Sequence, residues 1–93
     1  MVASAEEEKQ TLESIPLAEA EIVPTVRAIN DALVFCFNRF GPSGKEDVAD
    51  TLRFKTKDRG LENHLEKHPG ANAEFVKQVF LEVIAALELE STT

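Results

Sequence analysis

Cys36 is the only cysteine in the chain. An internal disulfide framework is thereby excluded, and a lone thiol suits a reducing, cytoplasmic setting. No run of about 18 apolar residues occurs, so no segment reads as a membrane-spanning helix. The opening Met1-Val-Ala-Ser-Ala, followed by Glu6, Glu7 and Glu8, has neither the basic start nor the apolar middle of a signal peptide. Internal repeats and low-complexity tracts are absent. Positive charge is also scarce: ten Lys and Arg stand against seventeen Asp and Glu, for a formal charge of −7. That balance disfavours nonspecific attraction to nucleic acid or anionic lipid.

The remaining composition is that of a globular chain. Apolar residues make up 43% of 93 residues, enough for one domain with a modest core. The expected organisation is an acidic N-terminal segment over residues 1–15, fraying at its edge, and a single helical domain over 16–90. Ser4 with Glu7 matches a capping box, so a helix is expected to begin in the acidic segment.

Helical periodicity is clearest in two places. Ile22, Val26, Ile29, Leu33, Cys36 and Phe40 recur at helical steps, and Gly41 follows as a C-terminal cap. A helix is predicted over about 24–40, starting at Pro24 because proline suits a first turn better than an interior. Val76, Phe80, Val83 and Leu87 mark a second helix over about 73–89, with Asn72 as its N-cap. Phe75, Val79, Leu81, Ile84 and Leu89 widen its apolar sector until little polar surface remains.

Between them lies polar sequence. Ser43 with Glu46 forms another capping-box pattern, which predicts a short helix through Val48, Ala49 and Leu52. Residues 51–56 alternate like a strand, but no second strand offers itself for pairing, so helix or irregular structure is preferred. Arg59-Gly60 reads as a break, Leu61 and Leu65 as another short helix, and His68-Pro69-Gly70 as its end. The fold class is therefore all-α: a bundle of four to five helices, two long and apolar around short middle ones.

The chemistry-bearing residues are few. His64 and His68 stand one helical turn apart, a spacing that can hold a metal together with a carboxylate. Leu65 occupies the position where a zinc-peptidase motif needs glutamate, so that chemistry is excluded. Two solvated histidines are the default, and no cofactor is expected. Gly41-Pro-Ser-Gly-Lys45 imitates a phosphate loop, but Arg39 and Glu46 replace residues the motif requires. Cys36 lies between aromatic and aliphatic neighbours and reads as a small core residue. No enzyme signature is present.

Charge is segregated along the chain. Six glutamates stand against Lys9 alone from Met1 to Pro24, whereas Arg53, Lys55, Lys57 and Arg59 stand against Asp58 alone. In an extended segment these four cations would share one side; in a helix they would disperse. The leading expectation is a non-enzymatic protein-interaction module, such as an adaptor, inhibitor or small regulatory subunit. It would bind a protein partner or a second copy through Phe75, Val79, Ile84 and Leu87. The alternative is a nucleic-acid-associated regulator using Arg53, Lys55, Lys57 and Arg59.

Overall fold

The computed structural model describes residues 15–41 and 43–91. Among them lie four helices and no strand: α1 (Glu19–Phe40), α2 (Lys45–Thr56), α3 (Asp58–Glu66) and α4 (Ala73–Ser91). The expected all-α class holds. Most of the acidic segment, including the Ser4–Glu7 capping box, lies outside the described residues.

Helix α1 starts five residues before Pro24. Its first turn is set by Glu21, whose Oε1 accepts a hydrogen bond from the Ala18 N–H at 3.0 Å, and by the favourable placement of Glu19 and Glu21 at the positive end of the helix. Pro24 therefore lies inside the helix. Its missing N–H deprives the Ala20 carbonyl of its helical donor, but Ala20 is exposed, where water can satisfy that oxygen. At the other end Gly41 adopts φ +72°, which side-chain-bearing residues rarely do, and its N–H closes the last turn on the Phe37 carbonyl at 3.0 Å.

The inward face of α1 differs from the expected one. Thr25, Ala28, Ala32 and Cys36 are buried, at helical steps of three and four. Of the predicted stripe, only Cys36 is fully covered. Ile29, Leu33 and Phe40 are half-buried against the core, and Ile22 and Val26 are exposed. The inward face of α1 is thus made of small side chains, and its large apolar residues fall on the flanks and the outside.

Helix α2 has Gly44 as its N-cap with no side-chain hydrogen bond, so the Ser43–Glu46 box does not form. The helix nevertheless runs through Thr56 and removes the strand ambiguity. Leu52 is buried while Phe54 is two-thirds exposed, so the two do not share an inner face. The expected break at Arg59-Gly60 occurs earlier, at extended Lys57. Gly60 lies within α3 at a corner so tight that a Cβ there would overlap the Phe54 carbonyl oxygen.

Asn72 caps α4 as expected, its Oδ1 accepting from the Phe75 N–H at 3.0 Å. The same residue ties α4 to the start of α1. Its backbone N–H donates to Thr25 Oγ1 at 2.9 Å, and its Nδ2 donates to the Pro16 carbonyl at 3.1 Å and to Glu21 Oε1 at 3.2 Å. From this anchor α4 sends Val76, Phe80 and Ile84 into the core beside Val48 and Leu52 of α2. Arg53 of α2 adds an ion pair to Glu88 of α4.

Candidate functional site

The expected partner surface on α4 is largely committed to the fold. Ile84 is only 5% exposed and belongs to the core, because the Val76–Phe80–Ile84 row is the one aimed at α2. That corrects its placement on a free surface. Leu87 packs against the core, and Phe75 and Val79 are half-buried.

The larger apolar surface is on α1. Val23, Val26, Val34 and Phe37 are 56%, 55%, 47% and 43% exposed, and Ile22 is exposed beside them. At about 100° per residue these positions, with exposed Asn30 among them, fill one continuous sector about 120° wide. Helix α3 reaches α1 at Ala28 through His64, and His68 just past its end reaches Asp31, roughly on the opposite side. Four of these apolar positions are symmetric about Asn30: Val26 and Val34 lie four residues to either side, Val23 and Phe37 seven, while Ile22 mirrors the polar Asn38. From Val23 to Phe37 the face extends about 21 Å along the axis. This spacing is legible in the sequence once small Ala28 and Ala32 are recognised as the inner face.

A second constellation forms where α3 meets α1. His64 is buried, and its Nε2–H donates to the Ala28 carbonyl at 2.8 Å. A carbonyl can only accept, so the neutral ring carries its proton on Nε2 and its lone pair on Nδ1. Burial pushes the His64 pKa below the ordinary value, an effect that Lys55 and His68 reinforce and the Ala28 bond and Asp31 oppose. The helix end then tightens: the Lys67 N–H bonds to the His64 carbonyl at 3.3 Å and the His68 N–H to the Leu65 carbonyl at 2.9 Å. His68 stays beside His64, ring centroids 5.2 Å apart, with its Nε2 3.1 Å from Asp31 Oδ2. Asp31 lies far from both histidines in the chain, and no local spacing announces it.

The basic segment does not form one row. Arg53 and Lys55 lie on α2, Lys57 at the break and Arg59 on α3. Arg53 is engaged by Asp50 at 2.8 Å and by Glu88. Lys55 lines a cleft of about 200 Å³ together with Asp31, Ala32, Phe35, His64 and Lys67. Cys36 is fully buried, and desolvation raises its thiol pKa despite the opposing charge of Lys55. It remains a protonated core residue. Among the described residues no helix is long and apolar enough to cross a membrane. Comparison of the chain with protein-family models, curated proteins and solved structures finds no match.

Proposed function

We propose that this chain is a non-enzymatic interaction module that pairs with a second copy of itself through the outer face of α1. The observation that carries this reading is the symmetric placement of exposed Val23, Val26, Val34 and Phe37 about Asn30. A twofold axis perpendicular to the helix places the same patch on both partners, with the helices antiparallel and the axis at the patch centre. With that axis at Asn30, Val26 meets Val34 of the second copy and Val23 meets Phe37. The two Asn30 carboxamides meet at the centre, each offering both donor and acceptor, so neither loses its hydrogen bonds. A central polar residue of this kind fixes register at some cost in affinity.

The magnitudes point to a weak pair. Completing the burial of four half-exposed side chains per copy is worth on the order of 10 kcal/mol in total. Association itself costs about 4–15 kcal/mol. The surplus is small, so pairing responds to concentration, as suits a regulatory or adaptor subunit. The protonated Cys36 supplies no activated nucleophile. Engagement of Arg53 by two carboxylates weighs against the nucleic-acid alternative.

Sedimentation equilibrium over a wide concentration range tests the proposal. The natural chain is expected to move from monomer to dimer, and Val26→Asp to remain monomeric with unchanged helical circular dichroism. A natural chain that stays monomeric at millimolar concentration, or a Val26→Asp variant that dimerises equally well, overturns the pairing.

A further inference from the structure

We infer that Asp31, His64 and His68 form a site for one divalent metal ion of the zinc class, clasping α3 to α1. One ligand atom from each residue lies within 4.8 Å of the others. Two imidazoles and one carboxylate are a donor set that zinc accepts with a fourth position left to water. Bonds of about 2.1 Å in tetrahedral geometry require donors roughly 3.4 Å apart, so the three groups must draw together by about an ångström. Asp31 can supply that movement, because its side chain is half exposed and is not packed into the core.

His64 already has the support that metal-binding histidines require. Its Nε2–H is held by a backbone carbonyl, which fixes the ring and leaves the Nδ1 lone pair as the donor. His68 ligates through Nε2, the ion replacing the proton now placed toward Asp31 while the ring carries its proton on Nδ1. The tightened end of α3 keeps the two rings adjacent. Lys55 and Lys67 line the neighbouring cleft and oppose a cation. Exposed Lys67 can extend its flexible chain into water, where screening weakens that repulsion.

The probe is Co²⁺ followed by Zn²⁺, added to the tag-free full chain after treatment with a chelator. The expected result is one equivalent of Co²⁺ giving visible absorption of a four-coordinate site, displaced by Zn²⁺, with a rise in melting temperature. Asp31→Asn, a half-exposed position whose change spares the core, and His68→Ala should each weaken binding at least roughly tenfold. No binding at stoichiometric metal overturns the site. So does binding that is unchanged in both variants, since the ion would then be held elsewhere.

Discussion

Helices α1 and α4 are both long and apolar, yet they spend their apolar surface differently. Helix α4 directs large side chains, Val76, Phe80 and Ile84, into the core. Helix α1 directs Thr25, Ala28, Ala32 and Cys36 inward and keeps Val23, Val26, Val34 and Phe37 outside. Total hydrophobicity therefore does not reveal which helix has surface to spare. The difference lies in which residues face inward: small ones on α1, large ones on α4.

Replacing equivalent rings on the two helices makes the sharpest contrast. Phe80→Ala removes a fully buried ring and should cost about 3–5 kcal/mol in urea unfolding. Phe37→Ala, at a position 43% exposed, should cost less than about 1 kcal/mol at concentrations where the chain is monomeric. Comparable losses would abolish the distinction between a core helix and a helix with a free face. Next in size is Ala32→Leu, which forces three extra carbons into the buried inner face of α1 and should destabilise by about 1–3 kcal/mol. A neutral Ala32→Leu variant would mean that the inner face of α1 has room for a large side chain.

The same contrast explains what the sequence discloses and what it conceals. The helices themselves were legible: periodicity, Gly41 and the Asn72 cap all mark elements that form. The start of α1 was not, because the rule that proline begins helices loses to an exposed Ala20 carbonyl that water can satisfy. The direction of α1 is concealed, because Ala and Thr carry little weight beside large apolar residues in a helical pattern. The imidazole cluster was half legible. His64 and His68 announce themselves by spacing, whereas Asp31 joins them only because the chain folds back over 37 residues from Asp31 to His68.

The smallest expected effect separates the apolar face from the charged surface around it. Each copy carries a formal charge of −7, so two copies repel, and added salt screens that repulsion as the screening length falls from about 10 Å at 0.1 M to about 3 Å at 1 M. A contact made by Val23, Val26, Val34 and Phe37 contains no ion pair to weaken in return. Dimerisation measured by sedimentation should therefore strengthen by a few-fold at most between low and high sodium chloride, a modest effect because the surface charges are already well hydrated. Binding to a nucleic acid through Arg53, Lys55, Lys57 and Arg59 would have the opposite sign, since phosphate contacts are lost as salt rises. If the dimer dissociates on adding salt, charged residues hold it together and the outer face of α1 is not the interface.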